Sequence, residues 1–145
     1  MKAFNGSCHC GAIHVALESA KAAADLPVRA CGCSFCTRHG AKNTSDPDGF
    51  LHITAAPGSL TRYRFGRGQI DMLLCDECGC YVAAVQDLED GSTVGTVNVT
   101  GTALEGFAGR TGEPMDYEDE TDEARLARRR AKWSPTTLTE TAPSA

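Results

Sequence analysis

Apolar and polar residues alternate with a period near two in several short stretches of the chain, the pattern of half-buried strands. Residues 12–17 show it first, with Ile13, Val15 and Leu17 falling on one side and His14 and Ala16 on the other. An alanine-rich run at 20–25 has room for one helical turn, but Pro27 biases Leu26 towards extended backbone and stops it. Residues 28–30 then predict a short strand leading into Cys31. Alternation returns at 50–54 and 60–65 on either side of a turn that carries Pro57 and Gly58. Residues 70–74, 81–85 and 93–99 are enriched in β-branched and aromatic side chains and predict three more strands. Ahead of the strand at 50–54, residues 41–48 are polar and include Pro47, which predicts a loop. At least seven strands, no alternation of strands with helices and no long amphipathic helix before residue 116 predict an all-β fold of two packed antiparallel sheets.

The chain then changes character. Acidic residues crowd positions 116–123, and Arg125, Arg128, Arg129, Arg130 and Lys132 follow. Acid first and base last suits the dipole of a short C-terminal helix that Ser134 and Pro135 would stop. Its basic residues are expected on a solvated face, with packing through Leu126 and Trp133. Residues 136–145 are expected to form a flexible tail, leaving 1–135 as a single domain.

Composition sharpens this outline. Leu, Ile, Val and Phe make up only 25 of the 145 residues, so the apolar core is lean and something else must help hold the sheets. Nineteen acidic against 14 basic residues give a formal charge of −5, opposite to the footprint of a nucleic-acid binder. No run approaches the ~18 apolar residues of a membrane span, and the first residues lack the apolar core of a signal peptide, so a cytoplasmic protein is expected.

The eight cysteines supply the missing support. Eight thiols could pair as disulfides in 105 ways, but in a reducing compartment Cys-x-Cys and Cys-x-x-Cys spacings favour metal. Cys8 and Cys10 with Cys75 and Cys78 could form a four-thiolate site, which saturates tetrahedral zinc and is structural. Gly79 after the second pair suits a knuckle-like turn. Cys31, Cys33 and Cys36 place three thiols in six residues and leave a zinc corner open, the general form of a catalytic site. A substrate thiol would suit that corner, because zinc favours the thiolate. Alternatively, Cys80 or His39 could close the second site, or one zinc could be shared among any four thiols. His9 is expected to face away from the metal, and His14 and His52 to be ordinary strand residues.

The run from Gly6 to Gly11, the run from Cys31 to Cys36 and the run from Cys75 to Gly79 together resemble the glutathione-dependent formaldehyde-activating enzyme family, which includes centromere protein V. The resemblance extends from residue 6 to about Val99, with a weaker echo ending at Trp133, Ser134 and Pro135. It implies a β-tent fold with two zinc ions. Cys8, Cys10, Cys75 and Cys78 match the ligands of the structural zinc, and Cys31, Cys33 and Cys36 those of the catalytic one. The activity implied is that of a carbon-sulfur lyase acting on thiol-aldehyde adducts, with glutathione and formaldehyde giving S-hydroxymethylglutathione. The chain departs from the family pattern in carrying Cys80 where a small hydroxyl residue is common, and Thr37 before Arg38 where a basic residue often comes first. The loop at 42–49 holds no recognisable glutathione pocket. Two other readings stay open: a zinc-stabilised binding module without catalysis, and a thiol redox protein using Cys80.

Overall fold

A computed structural model describes residues 1–140. Eleven strands run through it: β1 (Lys2–Ser7), β2 (Ile13–Ser19), β3 (Arg29–Cys31), β4 (Asn43–Thr44), β5 (Phe50–Ala55), β6 (Leu60–Tyr63), β7 (Asp71–Cys75), β8 (Tyr81–Asp87), β9 (Thr93–Asn98), β10 (Glu113–Met115) and β11 (Ser134–Glu140). Two helices, α1 (Ser34–His39) and α2 (Asp122–Lys132), accompany them. The all-β expectation holds, with a short helix near the C-terminus and a second one, α1, that the sequence pattern did not reveal.

The strands form two sheets that β11 joins. One runs β1-β2-β5-β11, and the other carries β6-β7-β8-β9 with β4, β3 and β10 continuing from the far edge of β9. Ser134 and Pro135 pair with Gly95 and Val94 of β9, while residues 136–140 pair with β5. The flexible tail expected from residue 136 is therefore corrected as far as Glu140, because Leu138 and its neighbours find a sheet edge that local sequence cannot announce; residues 141–145 of that tail lie outside the described residues. The purely antiparallel expectation is corrected as well. β11 runs parallel to β5, and β10 parallel to β3.

Burial explains the alternation. On β2, Ile13, Val15 and Leu17 point inward, and Leu51, Ile53 and Ala55 do so on β5. They meet Leu73, Val82, Val85 and Val97 of the second sheet in one core. Each Leu, Ile or Val side chain among them stabilises the fold by about 1.5–3 kcal/mol on burial. β7 and β8 instead are buried almost continuously, because their second face is covered too. There Met72, Tyr81 and Ala84 pack with Cys36 and Trp133, beneath α1 and the end of α2. α2 begins as its charge order suggests, with Thr121 Oγ1 accepting the Ala124 N–H at 3.1 Å as N-cap.

Candidate metal centres and the adjoining cavity

The four-cysteine group is built from two turns at the ends of sequence-distant strands. Cys8 follows β1, and its Sγ accepts the backbone N–H of Ile13 at 3.3 Å. Cys8 and Cys10 lie in a turn closed by the Gly11 N–H to the Cys8 carbonyl, 3.1 Å. Cys75 ends β7, and the Gly79 N–H reaches its carbonyl at 2.8 Å. Gly79 takes φ of 76°, a conformation that a side chain would strain, and so turns Cys78 back onto Cys75.

The four Sγ atoms lie within 4.8 Å of one another. Two of the separations are 3.7 Å (Cys8 to Cys10) and 3.6 Å (Cys10 to Cys75). Tetrahedral zinc with Zn-S bonds of ~2.3 Å sets its ligand sulfurs ~3.8 Å apart, so this donor set fits zinc closely. Burial pushes the Cys75 thiol up to about 12, whereas Cys78, against the opposing effect of burial, is drawn down to about 6 by hydrogen bonds with Cys10 and Cys80.

The three-cysteine group is built around α1. Cys31 ends β3, which β10 holds in register through Cys31 and Met115, and the Gly32 N–H donates to the Met115 carbonyl at 2.9 Å. Cys33 is the N-cap of α1, and its Sγ accepts the Cys36 N–H at 3.4 Å. Gly40, with φ of 59°, ends the helix one turn later. The three Sγ atoms fall within 4.8 Å of one another. Hydrogen bonds from Cys31 and Cys36 hold the Cys33 thiol down at about 2, whereas hydrogen bonds with Cys31 and Cys33, together with burial, drive Cys36 far above the usual thiol range. Three thiols this close tolerate one negative charge; a divalent cation would let all three ionise.

Neither alternative fourth ligand joins this group. Cys80 Sγ donates instead to the Gly101 carbonyl at 3.2 Å, and the His39 ring packs on Phe35 with centroids 4.4 Å apart. His9 and His14 are exposed. His52 hydrogen-bonds Thr137 Oγ1 at 2.8 Å, away from both groups.

Beside the three cysteines lies a cavity of about 610 Å³, which Cys31, Cys33 and Cys36 all line. Tyr81 and Phe65 form part of its apolar wall, and Arg29, Arg129 and Trp133 line it as well. None of the residues outside the cysteine cluster was identified by the sequence pattern. Tyr81 reads there as a strand aromatic, and Arg129 as one of several solvated helix arginines. Arg129 is in fact only 8% exposed, which corrects that expectation: its position on α2 turns it under the helix, over the Trp133 ring.

A family model described as glutathione-dependent formaldehyde-activating enzyme matches residues 3–115, a span that contains all eight cysteines. Among solved structures, the crystal structure of a Rhodobacter sphaeroides protein is similar, with 32% identity and a TM-score of 0.56 over 76% of this chain and 97% of that one. No curated protein matches.

Proposed function

The chain belongs to the glutathione-dependent formaldehyde-activating enzyme family, and from that premise we propose that it catalyses the reversible addition of a thiol to an aldehyde, with glutathione and formaldehyde as the leading pair. In the forward direction a carbon-sulfur bond forms, the carbonyl π bond breaks, and the thiol proton ends on the aldehyde oxygen. The reverse is a carbon-sulfur lyase reaction. The observation that carries the reading is the contrast between the two cysteine groups: four thiols close one, while the other has three and faces a cavity large enough for a small-molecule thiol.

Cys8, Cys10, Cys75 and Cys78 would hold a structural zinc, and Cys31, Cys33 and Cys36 a second one. The second ion, when bound, supplies an open position that favours a substrate thiol as its thiolate. The protein's own groups do the rest. Phe65, Met72 and Trp133 keep the cavity wall apolar, which strengthens polar contacts made inside it. Tyr81 is fully buried, its hydroxyl has no hydrogen-bond partner, and it lines the same cavity. Burial, and then the charge of Cys36, Cys31 and Cys33, raises its phenol well above the usual value, so it stays a donor. Tyr81 Oη would donate a hydrogen bond to the oxygen that gains the thiol proton.

Exchange NMR on a mixture of glutathione and formaldehyde tests this reading. Zinc-loaded protein accelerates adduct exchange over buffer, and the Cys36→Ser variant does not. Equal rates for wild type and buffer would end the assignment of this substrate pair.

A further inference from the structure

Cys33 and Cys36 stand one helical turn apart, with their sulfurs within 4.8 Å of each other. Positions three apart on a helix face the same side, inside the ~7 Å between Cα atoms that a disulfide can span. The two thiols differ in access. Cys33 is half-buried, lines the cavity and accepts the Cys36 N–H at its Sγ, a contact that favours an ionised, nucleophilic sulfur. Cys36 is only 4% exposed, too little for a reagent to attack first. An accessible nucleophile with a buried thiol in reach behind it is the arrangement of an attacking and a resolving cysteine.

The other thiols lack one part or another of this arrangement. Cys31 is tied into β3 by its pairing with Met115, outside the helical turn. In the four-thiol group Cys8 and Cys75 are almost fully buried, and four thiolates leave a zinc ion no open side. The three-thiol group instead faces a cavity of about 610 Å³, room enough for a small organic disulfide to reach Cys33.

We propose that Cys33 and Cys36 form a redox-active dithiol: a small organic disulfide oxidises them to a Cys33–Cys36 disulfide, and zinc leaves the three-thiol group because two of its three ligands are gone. The Cys33 sulfur attacks one sulfur of the small disulfide, whose S–S bond breaks and releases one thiolate. Cys36 then gives its proton to solvent and attacks the Cys33 sulfur, expelling the second thiolate. Two cysteine thiols are oxidised to one disulfide, and the small disulfide is reduced to two thiols. The zinc release rests on the metal reading above; the dithiol chemistry does not.

Bis(2-hydroxyethyl) disulfide, a neutral probe, tests both halves on zinc-loaded protein and on protein whose three-thiol group has been emptied by a mild chelator. Peptide mapping should find the Cys33–Cys36 disulfide in both. A zinc-binding dye should report one zinc released per disulfide formed, and dithiothreitol should restore the site. Cys36→Ser should stop at a mixed disulfide on Cys33, and Cys33→Ser should react at least about 10-fold more slowly than wild type. Mapping uses the unaltered chain, so the test stands even where a variant fails to fold. Oxidation that maps first to another pair overturns the proposal, as does Cys33→Ser reacting as fast as wild type. A disulfide in the emptied protein but none in the zinc-loaded one overturns the zinc release. Disulfide formation without adduct exchange would retain the dithiol and sink the thiol-aldehyde reading, whereas exchange without the disulfide would do the reverse.

Discussion

Cys33 Sγ accepts the backbone N–H of Cys36 at 3.4 Å, so one thiol both caps α1 and belongs to the group that lines the cavity. Helix and ligand cluster are thereby one local structure. The hydrogen bond stabilises the ionised sulfur, and the ionised sulfur in turn favours the start of the helix.

The two roles separate by substitution. Serine can replace the cap but is a poor ligand beside soft thiolates, whereas alanine replaces neither. Cys33→Ser and Cys33→Ala should both bind one zinc less than wild type. Serine should be the more stable of the two by about 1 kcal/mol. Urea unfolding with metal analysis checks this, and identical midpoints for the two variants would contradict it.

Zinc held by the two cysteine groups should leave them at different concentrations of chelator. The four-thiol group ties the turn after β1 to the turn after β7, and closed thiolate sites in small domains contribute on the order of 10 kcal/mol to folding. The three-thiol group lies along a single stretch of chain from β3 into α1. A mild chelator should remove the zinc of the three-thiol group first, with the β-sheet circular dichroism unchanged. Stronger chelation, or Cys75→Ser, should unfold the protein, while Cys36→Ser should not. Simultaneous loss of both metals and of the sheet signal would show the sites to be equivalent.

Cys80 offers a simpler case. Its thiol donates to the carbonyls of Gly101 and Tyr81 and stands outside both groups. Cys80→Ser keeps a donor at that position, so zinc content and adduct exchange should match wild type, with a stability change within about 1 kcal/mol. A redox role for Cys80 predicts lost activity in this variant instead.

Much of this architecture is legible in the sequence because its signals are local. The alternation on β2 and β5 and the β-branched runs of β7 to β9 declare strands, and the cysteine spacings declare both thiol groups. The remainder depends on contacts between distant residues. β1 buries only Phe4 fully, too little to show a period. β11 carries Pro135 and three threonines, and becomes a strand because β5 and β9 offer it edges on either sheet. α1 is six residues long and capped by a thiol, which no ordinary helix-start pattern contains. Arg129 looks like its neighbours on α2 until the packing of that helix on the second sheet decides which arginine is buried.

Asp71 illustrates how charge supports the second sheet. It sits at the start of β7 with a side chain 8% exposed, hydrogen-bonded to Arg62 and Arg64 at the end of β6 and just beyond it. Burial alone would raise its carboxyl, but Arg64 and then Arg62 outweigh it and hold it below the usual carboxylate range. A depressed folded-state value means stability that is fully present above about pH 4 and is lost as pH falls through the folded value. Asp71→Asn should therefore be destabilised at pH 7, with the gap to wild type narrowing towards pH 3. Urea midpoints measured across that range check it, and a gap independent of pH would exclude this ion pair as the cause.

Tyr81 sets stability against activity. Its ring packs edge-on against Phe35, with centroids 4.9 Å apart, and phenylalanine would keep that contact. Its hydroxyl, buried and unpartnered, costs free energy in the absence of a ligand, so Tyr81→Phe should be as stable as wild type or more stable, by up to about 1 kcal/mol. If the hydroxyl serves the adduct oxygen, that gain comes with a rate lower by about 10- to 100-fold, while binding of the thiol is unchanged. A merely structural tyrosine would show the opposite, losing stability and keeping its rate. Thermal melting, calorimetry and exchange NMR on this one variant therefore distinguish the two roles, because stability and rate must move in opposite directions only when the orphaned donor exists for the substrate.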